Sequence, residues 1–234
     1  MITLYQLATS PFTEKVRRSL NYKGIRFDVH EVDRAKAASG GYVGISPTAK
    51  FPAIEHDGVA VWDSTDILEY LDRVFPERPL IPADPRQRGV AHAFEEWADE
   101  SLYFYEITAR LSWEHNLAAA LDEFAVGFPN VPKEALKKQI LDGAGGLVRT
   151  QGIGRKPKEQ IVRDIERQLS ALDAALADGG WLVGSALTSA DVAVIAQLNA
   201  LLYAQEARAA LERTKNVKAW MARVDETAPV TARS

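Results

Sequence analysis

The decapeptide PERPLIPADP, residues 76–85, puts proline at 76, 79, 82 and 85, one residue in three. Such a segment loses an N–H at each proline and holds φ near the polyproline value. It runs extended and cannot be helical. It therefore reads as the linker between two domains of the 234-residue chain. Hydrophobic periodicity changes character across it.

Ahead of the linker, ITLYQL (2–7) reads as a buried strand. A helix follows over 11–24, with Pro11 in its first turn, Ser10 as a possible cap and Gly24 as its stop. RFDVHEV (26–32) alternates like a strand, with Phe27, Val29 and Val32 apolar. RAKAASGGYVGISP is at best a poor helix. FPAIEHDGVAVWD (51–63) reads as a hairpin turning at Asp57-Gly58. STDILEYLDRVF (64–75) carries Ile67, Leu71, Val74 and Phe75 at helical spacing, behind an Asp63 or Ser64 cap. The order is βαβ, then ββα.

From Arg86 onward every long segment has helical spacing. Ile161, Ile165, Leu169, Leu172 and Leu176 form one stripe. ADVAVIAQLNALLY (190–203) is apolar on nearly all sides, as a buried central helix would be, with Thr188 and Asp191 spaced as a capping box. The glycine-rich DGAGGLVRTQGIGR (142–155) follows no strand and reads as a helix break.

The formal net charge of −4 supplies no basic field for nucleic acid. No apolar run approaches the roughly 20 residues that span a bilayer, so no membrane partner is expected. No cysteine is present, which removes disulfides and thiolate catalysis from the protein's own side and is compatible with a cytoplasmic setting. His92, Glu95, Glu96, Asp99 and Glu100 lack metal-ligand spacing and read as a solvated acidic helix face; no metal is expected.

Two places carry candidate chemistry. Ser10 stands where a strand runs into a helix. Its hydroxyl either caps that helix or holds a ligand's charge. Asp63-Ser64 opens another helix, a ready anion site or a plain cap.

The chain resembles the glutathione transferase superfamily through TSPFTEKVR after the first strand, SPTAKFPAIEHDG, VWDSTDILEYL, the proline linker and LTSADVAVIAQL, in that order. The Ser-Pro-Phe form is most similar to the tau-type pattern, and to the omega-type pattern with Ser in place of Cys. GIGR and TSAD are also similar to metaxin-like relatives. The resemblance implies an α+β protein: a thioredoxin-like βαβ-ββα domain over 1–76, a linker over 77–85 and an all-helical domain over 86–234. It implies a cytoplasmic homodimer that binds glutathione as substrate or cosubstrate, with a small hydrophobic electrophile as acceptor between the domains. Halides, activated alkenes, epoxides, aryl ethers and peroxides all qualify. The alternative on the same fold is a glutathione-binding or scaffold protein with little turnover.

The resemblance assigns Ser10 to the sulfur, with Thr9 as second hydroxyl and Tyr5 as third. Lowering a thiol's pKa by about two units takes about 2.7 kcal/mol. One charge-assisted hydrogen bond and a helix N-terminus supply about that much. The family's matching proline is cis, so Pro52 and the backbone of Phe51 would meet the cysteinyl part. Asp63 and Ser64 would take the γ-glutamyl end, although most relatives carry Glu or Gln at the Asp63 position. Lys36 and Lys50 would meet the glycyl carboxylate or peptide backbone, and Phe12 completes the glutathione set. Tyr103, Tyr105 and Trp113 are candidates for the acceptor pocket. Thr188 and Asp191 are assigned to folding.

Overall fold

The computed structural model describes residues 1–231. The first part folds as β1 (Ile2–Gln6), α1 (Pro11–Lys23), β2 (Phe27–Glu31), a short α2 (Arg34–Ala38), β3 (Ala53–His56), β4 (Val59–Trp62) and α3 (Ser64–Val74). The sheet order is β2-β1-β3-β4, with β2 parallel to β1 and the other pairs antiparallel. The parallel pair needs a crossover, which α1 supplies. The β3–β4 turn holds Asp57 at φ 51° and Gly58 at φ 82°, the mirror-image turn that Asp-Gly favours. Ile2, Leu4, Val16, Leu20, Ile67, Leu68 and Leu71 join one buried cluster. β2 is an edge strand whose Val29 is half exposed, so its apolar alternation does not bury that side chain.

The proline segment is pinned rather than free. The Asp72 carboxylate accepts from the N–H groups of Leu80 and Ile81, and Lys23 reaches Asp72 and the carbonyls of Phe75 and Arg78. Leu80 is fully buried, and its carbonyl accepts from Ser189 N–H. The extended stretch ends sooner than the proline spacing suggests. Pro85 is the first residue of a helix capped by Asp84, where a missing N–H costs nothing.

The second part contains α4 (Pro85–Glu96), α5 (Tyr103–Glu106), α6 (Glu114–Val126), α7 (Lys133–Gln151), α8 (Lys158–Ala175), α9 (Ser189–Leu201), α10 (Gln205–Leu211) and α11 (Asn216–Thr227). π-helical turns over Trp97–Leu102 and Ile107–Ser112 flank α5. α9 is almost wholly buried and packs on α1 and α4. Its capping box is formed: the Asp191 carboxylate accepts from Thr188 N–H and Oγ1–H, from Leu182 N–H and from Trp220 Nε1–H at 2.7 Å.

The expected break over 142–155 does not begin at its first glycines. α7 runs through Gly143, Gly145 and Gly146 and stops at Gly152, whose φ is 117°. Leu136, Ala144 and Val148 bury one face of α7 against the second π-helical turn. That packing outweighs a glycine penalty of about 1 kcal/mol per residue.

Candidate functional site

Sheet register decides which loops meet. Tyr5 pairs with Ala53, and Ala53 pairs with Trp62. One step further along each strand, Gln6, Pro52 and Asp63 stand abreast. The β1–α1 turn, the segment ahead of β3 and the start of α3 therefore share one end of the sheet.

Ser10 is the residue before α1, at φ −83° and ψ 129°. Its N–H donates to Leu7 O and its carbonyl accepts from Glu14 N–H. Its hydroxyl makes no cap hydrogen bond and, like that of Thr9, takes no partner among the described residues. Phe51-Pro52 is cis. Phe51 is buried with its ring 5.7 Å from that of Tyr42. It lies outside the strand ladder, and its N–H and C=O take no partner among the described residues. An extended peptide laid there would find both groups available.

Asp63 sits at φ 74°, a conformation costly for a residue with a Cβ and characteristic of sites that hold ligands. Its carboxylate caps α3 by accepting from Thr65 N–H at 2.9 Å. Ser64 is buried, and its oxygen accepts from Lys15 Nζ at 3.2 Å. Phe12 packs edge-on against Tyr103 at 5.1 Å. Lys36 and Lys50 are both exposed and form no ion pair among the described residues. The Lys36 ammonium stands 4.9 Å from the Tyr42 ring, and a Cβ at Gly41 would come within 2.3 Å of the Lys36 side chain, so glycine there permits that approach.

Other candidates lie apart. Tyr5 donates to Glu55 at 3.2 Å and has its pKa raised by burial and that carboxylate. Tyr103, Tyr105 and Trp113 each meet different partners. Tyr103 faces Phe12 and Phe104, with burial first and then Glu106 and Glu100 pushing its hydroxyl up to about 12. Tyr105 donates to Asp164 on α8, and Trp113 stacks on His115 beneath Lys158. The two tyrosines are two positions apart on a helix and so point to different sides.

Glu95 and Asp99 are not a solvated face. Their carboxylates stand 2.6 and 2.7 Å from the buried Lys15 ammonium. The basic residues Lys15 and Arg18 are buried on α1, as are Val16, Ser19 and Leu20. Two cations inside a helix with apolar neighbours at 16 and 20 were the available signal.

Sequence reasoning missed Arg110. Its guanidinium donates to Thr9 O at 3.3 and 3.4 Å and pairs with Glu106 at 3.0 Å. It lies between the Tyr203 and Phe124 rings, 4.4 and 5.1 Å from their centroids, and is 2% exposed. Burial raises the Glu106 pKa, against the pull of Arg110. The π-helical turn carrying Arg110 shifts the helical phase, which period-3.6 reading does not anticipate. Arg110, Ser10, Glu14, Asn199 and Tyr203 border a polar pocket of about 140 Å³. Burial holds the Glu14 carboxyl above its usual range despite Arg18 and Asn199.

Residues 4–79 match the glutathione S-transferase N-terminal domain, and residues 155–223 match the C-terminal domain of the same family. The chain is 30% identical over 201 residues to the isoprene-epoxide–glutathione S-transferase of Rhodococcus sp. AD45, covering 81% of this chain and 79% of that protein. It is 26% identical over 239 residues to protein LigF of Sphingobium sp. SYK-6, covering 96% and 89%. The crystal structure of that beta-etherase superposes with a TM-score of 0.65 over 96% of this chain and 94% of the other, at 24% identity. Glutathione transferase F2 of Populus trichocarpa superposes at 0.68 over 97% and 94%, at 18% identity, a likeness of fold.

Proposed function

The chain belongs to the glutathione S-transferase family, and from that premise we propose that it binds glutathione and uses the Ser10 hydroxyl to stabilise the bound tripeptide's thiolate for attack on an electrophile. The observation that carries this reading is a hydroxyl without a partner among the described residues at the start of α1, at the same end of the sheet as the cis Phe51-Pro52 segment. The residues present suit the tripeptide. Free backbone groups at Phe51 match an extended peptide, and the N-terminus of α3 with Ser64 suits a carboxylate. Lys36 and Lys50 are exposed cations for the other carboxylate.

Ser10 donates its proton to sulfur as a hydrogen bond and keeps it. The thiol's proton leaves to solvent, the sulfur lone pair forms the new bond to carbon, and the leaving group departs with its electron pair. The names of two relatives, an isoprene-epoxide transferase and a beta-etherase, support an acceptor in which a carbon–oxygen bond breaks. The departing oxygen then takes a proton from water. We place the enzyme in the cytoplasm as a homodimer.

The test is a pH titration of thiolate absorbance in the glutathione complex, using wild type, Ser10→Ala and Thr9→Ala. Wild type and Thr9→Ala should hold thiolate about two pH units below free thiol, and Ser10→Ala should not. Loss in Thr9→Ala alone moves the role by one residue. Retention on a glutathione resin without thiolate leaves a binding protein.

A further inference from the structure

An acid with a free oxygen borders the sulfur pocket. Glu14 lies one helical turn beyond Ser10, whose carbonyl accepts its N–H at 3.1 Å, and both residues border the same pocket of about 140 Å³. The Glu14 side chain is 19% exposed. Its Oε1 accepts from Arg18 Nε at 2.8 Å and from Asn199 Nδ2 at 2.6 Å. Its Oε2 takes no partner among the described residues. Two donors thus fix one oxygen and leave the other for whatever enters the pocket.

Arg18 does not serve Glu14 alone. The same guanidinium pairs with Asp225 on α11 at 2.7 Å, so two carboxylates share one cation. Two acids on one cation readily keep one proton between them. Asp225 is 57% exposed and stays ionised in water, which leaves the proton to Glu14. Burial, reinforced by Asp225, raises the Glu14 pKa against the pull of Arg18 and Asn199. The other ionisable groups bordering the pocket are Arg110, Glu123 and Tyr203. Arg110 is paired with Glu106. Tyr203 already donates to Glu123, and burial together with that carboxylate pushes its hydroxyl up to about 12, too weak an acid to compete.

We propose that Glu14 is a further catalytic residue, whose Oε2 gives its proton to the departing oxygen of an acceptor in which a carbon–oxygen bond breaks. This rests on the transferase reading of the Ser10 site. The glutathione sulfur forms its bond to carbon, and the carbon–oxygen bond breaks with its electron pair on oxygen. That oxygen takes the Oε2 proton. The carboxylate left behind, held by Arg18 and Asn199, regains a proton from water.

The test compares two acceptors of one body. Propylene oxide must gain a proton on oxygen as its ring opens, whereas propyl iodide releases iodide, which needs none. Wild type and Glu14→Gln are assayed with each across a pH series, and thiolate absorbance of the glutathione complex is read in the same samples. Glu14→Gln should lower kcat/KM for propylene oxide about a hundredfold more than for propyl iodide, the scale of general acid catalysis. In wild type, kcat/KM for both acceptors should rise as thiolate forms, and only that for propylene oxide should fall again at higher pH as Glu14 ionises. Equal losses with the two acceptors, or no loss with either, overturn the proposal. The wild-type profiles decide it without a variant, since the same shape for both acceptors overturns it too. Wild type without thiolate at neutral pH would sink the transferase reading itself, and this proposal with it. Thiolate present alongside matching profiles would sink only the role of Glu14.

Discussion

Lys15 Nζ lies 2.7 Å from Asp99 Oδ2, with only 1% and 11% of the two side chains exposed. Glu95 shares the ammonium at 2.6 Å, and the Ser64 and Thr65 hydroxyl oxygens accept from it at 3.2 and 3.1 Å. One cation on α1 thus ties α3 to the helical domain directly behind the proposed γ-glutamyl site. Burial alone would lower its pKa; Asp99 and Glu95 outweigh that and keep it charged.

Removing the cation leaves two buried carboxylates. Lys15→Met should cost about 3–5 kcal/mol in urea unfolding. Adding Glu95→Gln and Asp99→Asn to Lys15→Met should recover a substantial part, because the stranded charges go. A single variant with the wild-type urea midpoint would show that the cluster does not hold the domains together.

Arg110 allows stability and chemistry to be separated. Arg110→Gln strands the buried Glu106 carboxylate and should cost about 3–5 kcal/mol. Arg110→Gln with Glu106→Gln should restore most of that stability. The double variant still lacks the charge that bonds the Thr9 carbonyl and fixes the turn carrying Ser10. Its kcat/KM with glutathione should stay about tenfold low, a loss of about 1.4 kcal/mol in transition-state stabilisation. A double variant with wild-type turnover would confine Arg110 to folding.

The hairpin at Asp57-Gly58 and the Thr188–Asp191 capping box were legible because their signals are local. Ser10 was legible as a turn hydroxyl, since the strand and helix flanking it are both strongly patterned. Glu95 and Asp99 were misread because the cation that buries them, Lys15, lies 80 and 84 residues away on another element, and no local pattern links them. The facing of Tyr105 and Trp113 was not legible, because it depends on π-helical turns and on contacts with α8. α7 was cut short because glycine propensity is local, whereas the packing that overrides it comes from the second π-helical turn.

Gly146 tests that override. It is exposed on α7, and a Cβ there meets nothing within 4 Å. Gly146→Ala should therefore raise stability by about 0.5–1 kcal/mol, chiefly by restricting the unfolded chain. Thermal unfolding should report a rise of about 1–4 °C. Gly152→Ala, at φ 117°, should do the opposite. Equal shifts in the two variants would mean that backbone freedom does not govern where α7 ends.

Glu206 gives the pH dependence a definite sign. Burial opposes its ionisation, yet hydrogen bonds from Asn116, Lys158 and His115 hold the carboxyl down at about 2, against 4.5 in an ordinary glutamate. A folded pKa below the unfolded one contributes stability above the unfolded value and loses it as pH falls through the folded value. Its partners His115 and Lys158 are partly in water, with 40% and 44% of their side chains exposed, which screens the interaction. Glu206→Gln should thus cost on the order of 1–2 kcal/mol at neutral pH. The gap to wild type should narrow as pH falls from about 4.5 towards 2. Urea unfolding of both proteins at several pH values measures it. A gap that stays constant across that window would mean the carboxylate's charge contributes nothing to holding α10 against α6.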